Sequence, residues 1–135
     1  MLVVEDDALV QSWIRLALER TEFRLAGVAS SAAEAQELIE RRQPDLLLVD
    51  YRLPDGVGTE LVGRLRQQGL MLPAMMMTAN LEPGFNEAAR EAGAQGSVLK
   101  SGSIDALLNG LRAVAAGEEA FDGRHPKPPP GQGLL

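Results

Sequence analysis

Residues Pro44 to Gly58 read P-D-L-L-L-V-D-Y-R-L-P-D-G-V-G, and four apolar residues, Leu46 to Val49, run straight into Asp50. A short run that is apolar on both faces suits a strand covered on both sides within a parallel sheet. Asp50 then stands at the carboxyl end of that strand, where open α/β sheets bind their ligands. Pro54, Gly56 and Gly58 mark the loop that follows. Taken alone, such an Asp is a turn cap. Three further apolar runs change that reading, because each also ends in chemistry. Val3 and Val4 lead into Glu5, Asp6 and Asp7; Met75 to Met77 lead into Thr78; Val98 and Leu99 lead into Lys100.

Between these runs lie helical patterns. Asp7 precedes a helix from about Ala8 to Arg20, where an acid suits the positive end of the dipole. Phe23 to Ala29 reads as a second strand with no acid or base at its end. Ser31-x-x-Glu34 is a capping box opening a helix to about Arg42. Val57, Leu61 and Leu65 recur every four residues, so a third helix runs to about Gln68 and stops at Gly69. Leu72 to Thr78 is a fourth strand, and Pro83 suits the first turn of a helix ending near Gly93. Ser97 to Lys100 is a fifth strand. Ser103 caps a last helix with Ile104, Leu107, Leu108, Leu111 and Val114 on one face. Strand and helix alternate five times, which predicts an α/β fold: a doubly wound, flavodoxin-like parallel sheet of five strands in the order 2-1-3-4-5 with five helices. In that order strand 2 lies away from the site, and strand 2 is the one whose end carries no chemistry.

The bulk properties narrow the function. The 135 residues suffice for one domain with its own core. With a net charge of −6, the chain is a poor binder of nucleic-acid phosphates. There is no Cys, so thiolate chemistry is excluded. The single His, His125, lies in a tail that holds four of the eight prolines, which argues against histidine-based catalysis in the core. No apolar run approaches the ~20 residues of a membrane helix, and no secretory signal pattern opens the chain; the expected compartment is the cytoplasm. We expect a packed domain over 1–117 and a Pro/Gly-rich linker or tail over 118–135.

Glu5, Asp6 and Asp50 should converge, and three carboxylates in one crevice repel unless a cation neutralises them. An oxygen-only set suits Mg²⁺. A carboxylate beside Mg²⁺ can attack a phosphoryl group and form an acyl phosphate. Lys100 supplies a fixed cation, one of two Lys against eleven Arg, and Thr78 a hydroxyl donor. The plainer alternatives are a solvated acidic turn at Glu5-Asp6-Asp7, an ordinary surface Lys and an unremarkable strand-end Thr. They leave the common placement of all four strand ends unexplained.

V-V-E-D near the amino terminus, V-D-Y-R-L-P-D-G-V-G, M-T-A and G-A-Q-G-S-V-L-K together resemble the signature of the response-regulator receiver domain of two-component signalling, over roughly residues 1–117. The resemblance implies the CheY-like form of the fold. It implies that Asp50 accepts phosphate from a sensor histidine kinase, and that Mg²⁺ is held by Asp6, Asp50 and the Arg52 backbone carbonyl, with Glu5 acting largely through water. Thr78 and Lys100 match the phosphoryl-contacting pair. The implied role is a phosphorylated signalling module rather than an enzyme, with self-phosphorylation from a phosphodonor and self-dephosphorylation as its only chemistry. Two positions depart from the family. Ser101 stands where Pro usually follows the lysine, and K-S-G-S is similar to the NarL/FixJ (LuxR-type) branch of transcription regulators, which carry a carboxy-terminal helix-turn-helix. Ser97 stands where most receivers carry the aromatic ring that follows the Thr hydroxyl between states. The tail resembles a linker to a helix-turn-helix absent from these residues, through which alone DNA would be bound. Alternatives are a stand-alone receiver that binds a protein target, a haloacid-dehalogenase-like phosphatase, for which the loop after Asp50 has Arg52 where a second Asp is needed, and a flavodoxin-like flavin binder, whose phosphate three acids would repel.

Helix 1 gives an expectation about assembly. At about 100° per residue its apolar positions from Leu9 to Leu18 cover roughly 200°, whereas a surface helix needs a stripe of about 100°. If Leu9, Trp13 and Ala17 face the core, Leu16 and Leu18 flank the arc. Homodimerisation on phosphorylation through helices 1 and 5 is then expected; the plainer alternative is that helix 5 covers Leu16 and Leu18 within one subunit.

Overall fold

The first strand organises the connectivity. β1 (Leu2–Val4) pairs in parallel with β2 (Gly27–Ala29) on one side and with β3 (Leu47–Asp50) on the other. A two-stranded hairpin, β4 (Arg52–Leu53) and β5 (Gly56–Val57), fills the loop after Asp50. β6 (Ala74–Thr78), β7 (Gly96–Leu99) and β8 (Ala120–Phe121) complete the sheet in the order β2-β1-β3-β6-β7-β8. The helices between them are α1 (Ala8–Leu18), α2 (Ala32–Arg42), α3 (Gly58–Gln67), α4 (Phe85–Ala92) and α5 (Ile104–Ala115). The structure is a computed structural model and describes residues 1–122. Among the described residues no helix is long and apolar enough to cross a membrane.

The expected doubly wound sheet and its order are present. Three differences have local causes. The second strand is shorter than 23–29, because Thr21 Oγ1 accepts from the Phe23 amide and donates to Leu18 O, turning the chain before any ladder forms. The fourth helix begins at Phe85, because Gly84 adopts φ +85° and breaks the turn that Pro83 was expected to open. Packing also continues past 117. β8 adds a sixth parallel strand through Gly96↔Ala120 and Ser97↔Phe121, within residues expected to start a linker. The rest of the expected tail, 123–135 with His125, lies outside the described residues.

Alternation along the strands divides the core in two. Leu2, Val4, Leu47, Val49 and Met76 face α2, α3 and α4. Val3, Leu48, Met75, Met77 and Val98 face α1 and α5. With both faces covered, the central strands must be apolar throughout, as the sequence shows. α1 is rotated from its expected phase. Ile14, Ala17 and Leu18 are buried, while Leu9 is 82% and Leu16 61% exposed. The first turn overhangs the strand ends, so Leu9 has no sheet to pack on, and Leu18 belongs to the core rather than to a flank.

Gly58 opens α3 against the site itself. Its amide donates to Tyr51 O at 2.7 Å, and a Cβ here would lie 2.1 Å from the Asp50 carbonyl oxygen. Gly110 is also tight, but its Cβ would meet the mobile end of Met75, Cε at 2.4 Å. Backbone cannot retreat as a thioether can. We expect Gly58→Ala to cost about 2–3 kcal/mol in urea unfolding. Gly110→Ala should cost less, since the gain in helix propensity of about 1 kcal/mol offsets the repacking of Met75.

Candidate functional site

The parallel register delivers four side chains to one rim. Asp50 pairs across the ladder with Met77, and Thr78 with Leu99. The Lys100 amide donates to Thr78 O at 2.8 Å and the Glu5 amide to Ala29 O at 2.8 Å, so each residue leaves its strand held by the neighbouring one. Glu5, Asp50 and Thr78 are buried. They reach this position because the strands are apolar up to their last residue and polar immediately after it.

The Lys100 ammonium sits 2.8 Å from Asp50 Oδ2 and bonds Glu5 Oε1 at 3.2 Å. Glu5 Oε2 lies 3.1 Å from the same ammonium without the direction of a hydrogen bond. Among the described residues it is the buried side-chain oxygen left without a hydrogen-bond partner. Asp6 is exposed beside it, and one carboxylate oxygen each from Glu5, Asp6 and Asp50 lie within 4.8 Å of one another. This donor set is all oxygen and carries more negative charge than Lys100 offsets, so it fits a hard divalent cation. Asp7 takes a different part: its Oδ1 caps α1 by accepting from the Leu9 amide at 2.8 Å.

Burial pushes the Glu5 carboxyl up from 4.5 to about 7, helped by its contact with Asp50 and opposed by Lys100. Burial alone would lower the Lys100 ammonium, but its hydrogen bonds to Asp50 and Glu5 outweigh that and raise it. Lys100 is therefore a fixed positive charge.

The remaining expected residues divide. Thr78 lines the same cleft of about 270 Å³ as Asp50 and Lys100. Its hydroxyl, however, donates to Asn80 O at 3.0 Å and accepts from the Asn80 amide at 3.3 Å, so it faces its own loop. Arg52 follows in the hairpin, its amide 3.4 Å from Asp50 Oδ1 and its exposed side chain 5.9 Å from the Tyr51 ring centre. Ser97 is buried outside the cleft, donating to Asn86 Oδ1 at 2.7 Å. The aromatic surface in the cleft comes instead from Tyr51 and Phe85, packed edge to face at 5.0 Å.

Two contacts had no signal in the local sequence. Asp55, readable there only as half of a D-G turn, accepts from the Ala32 and Ala33 amides at 2.9 and 3.0 Å. Those amides hold its carboxyl below the usual range, and the contact pins the loop after Asp50 to the start of α2. Asn86, in a helix read only from Pro83 at its start and Gly93 at its end, is the partner of Ser97.

Comparison with known proteins places this geometry. The response regulator receiver domain family matches residues 1–112. The phosphate regulon transcriptional regulatory protein PhoB of Pseudomonas aeruginosa is 34% identical over 116 residues, covering 84% of this chain and 50% of that protein. The transcriptional regulatory protein YvfU of Bacillus subtilis is 28% identical over 122 residues, covering 90% and 61%. The chain thus spans about half to three fifths of the length of these relatives. Among solved structures, a LuxR-family two-component response regulator from Aurantimonas superposes with a TM-score of 0.83 at 29% identity, covering 90% of this chain and 88% of that one.

The raised Glu5 carboxyl has a signed consequence. A group whose folded pKa is raised contributes stability that is fully present below its unfolded value and is lost as pH rises through the folded one. In chelator, the stability of wild type relative to Glu5→Gln should therefore fall between pH 4.5 and about 7 and level off above. Urea unfolding across pH measures the difference. A pH-independent difference would mean that Glu5 is ionised throughout.

Proposed function

The chain belongs to the response regulator receiver domain family, and from that membership we propose that it is the phosphoacceptor of a two-component pathway, modified on Asp50. One observation carries the reading: a buried carboxylate opening into a cleft, with a lysine ammonium 2.8 Å from its Oδ2 and two further acids beside it. In the proposed transfer an Asp50 oxygen attacks phosphorus. The aspartyl O–P bond forms, the N–P bond to the donor kinase's imidazole breaks, and that nitrogen takes up a proton. Lys100 stays beside the phosphoryl oxygens and offsets their charge. Thr78 reaches them only by leaving Asn80. Asp6, Asp50 and the Arg52 carbonyl, with Glu5 behind them, would hold Mg²⁺, which when bound neutralises charge on the phosphoryl group.

A sensor histidine kinase as donor and the cytoplasm as location belong to the same reading. So does transcription control through a DNA-binding segment outside the described residues. Its support is that the curated relatives named above are longer transcriptional regulators, of which the matched region covers 50% and 61%, while the net charge of −6 gives this chain little affinity for DNA. We further propose a homodimer on phosphorylation through α1 and α5, supported by the exposed Leu9 and Leu16.

Acetyl phosphate with Mg²⁺ should add one phosphoryl group, read by intact mass, and Asp50→Asn should reduce labelling at least about tenfold, as expected for loss of the nucleophile. Labelling of Asp50→Asn at the wild-type level would remove Asp50 from its role. Beryllofluoride with Mg²⁺ should raise the molar mass in light scattering. Leu16→Glu should block that rise without unfolding the chain, a test that the buried Leu18 cannot provide.

A further inference from the structure

Ser97, buried within β7, donates its hydroxyl proton to Asn86 Oδ1 at 2.7 Å and accepts from the Asp122 amide at 3.1 Å. The Asn86 side-chain amide donates to Asp122 O at 3.1 Å. Three hydrogen bonds thus close a ring across β7, α4 and the residue that leaves β8. Arg90, one turn along α4, grips the same segment. It pairs with Glu119 at 2.8 Å and lies 4.6 Å over the Phe121 ring. Phe121 is buried in the same cluster as Phe85 and Ala89 of α4. By contrast β8 has only two register pairs with the sheet, both to β7. Side chains of α4 thus add to a short ladder in which the Ala120 amide donates to Gln95 O at 2.9 Å and the Asp122 amide, shared with the Ser97 hydroxyl, to Ser97 O at 3.0 Å.

The other end of α4 borders the cleft. Gly84 and Phe85 line it, and Asn86 is the next residue. α4 has eight residues and no side-chain cap at Gly84. The loop that leads into it is tied to Thr78 by the bond from the hydroxyl to Asn80 O. A hydroxyl has a single proton to donate, so Thr78 cannot serve Asn80 O and an oxygen on Asp50 together. A Thr78 hydroxyl turned toward a group in the cleft gives up its bond to Asn80 O in the loop that leads into α4, and Asn86 lies within the first turn of that helix.

We propose that Ser97, Asn86 and Asp122 form a latch through which phosphorylation of Asp50 loosens β8 and so changes the hold on the chain beyond Asp122. The proposal rests on the phosphoacceptor reading above. It assigns Ser97 a task that a Phe at that position could not perform, since its ring offers neither donor nor acceptor to Asn86 and the Asp122 amide.

Hydrogen exchange by mass spectrometry on the whole chain tests it, with beryllofluoride loading checked by native mass. Loading should speed exchange in residues 118–122 about fivefold, the effect of roughly one lost hydrogen bond, while β1 and β3 stay unchanged. Asn86→Ala without beryllofluoride should give the same acceleration, and loading should then add little. Ser97→Ala should act in the same direction and serves if Asn86→Ala does not fold. Loaded wild type with unchanged exchange at 118–122 overturns the latch alone. Failure of wild type to load overturns the phosphoacceptor reading and the latch with it. If the effects of loading and of Asn86→Ala multiply instead of saturating, the contacts are a static cover for the sheet edge and the coupling is wrong.

Discussion

The Lys100 ammonium is what lets two carboxylates stay buried at adjacent strand ends. A charge removed from water without a partner costs several kcal/mol or shifts its pKa until it is neutral. Glu5 and Asp50 are both buried and close enough to share one cation. Burial, with the neighbouring Asp50, pushes Glu5 up to about 7, and Lys100 opposes that rise without cancelling it. The acids cannot relax toward bulk water because their strands are fixed by ladders on both sides. They cannot move apart because each follows the last apolar residue of its strand. The site is thus an anion-rich rim whose negative charge exceeds what Lys100 offsets, a donor set that fits a hard divalent cation.

Backbone constraints set the position of Asp50 more tightly than its side-chain partners do. Gly58 packs against the Asp50 carbonyl, and its amide is bonded to Tyr51 O. The intervening hairpin folds back so that Asp55 reaches the first amides of α2. A loop that would otherwise be the mobile part of the site is tied at both ends and in the middle. For the transfer proposed at Asp50, preorganisation of this kind matters because a nucleophile held in place has less freedom to lose on the way to the transition state.

The doubly wound sheet was legible because four of the five expected strands carry two signals at once, an apolar run and a terminal polar residue, and neither depends on distant residues. Lys100, Asp50, Glu5 and Asp6 were legible for the same reason: once the strand order is known, register alone brings them together. The contacts of Ser97 were not. Nothing near position 97 announces Asn86 or Asp122, which lie 11 and 25 residues away. The sixth strand was hidden because Ala120 and Phe121 form too short a run to read as a strand, and they pair only because β7 offers an open edge. The phase of α1 was misjudged because helical periodicity identifies an apolar arc without showing where the sheet beneath it ends.

That division has a physical basis. The chemistry of the rim needs a few groups within hydrogen-bond distance, and parallel register supplies them from residues adjacent to the strands. Output needs something else: an element whose contacts have two nearly balanced arrangements. The latch proposed above assigns that part to α4. That helix is short, it begins on an uncapped glycine, and its buried anchors are few. The polar contacts of Asn86 and Arg90 are made to β7 and to the β8 segment rather than within the helix. A helix held mainly through its neighbours shifts when one neighbour changes partner, and Thr78, with a single proton to donate, is a neighbour that has to choose.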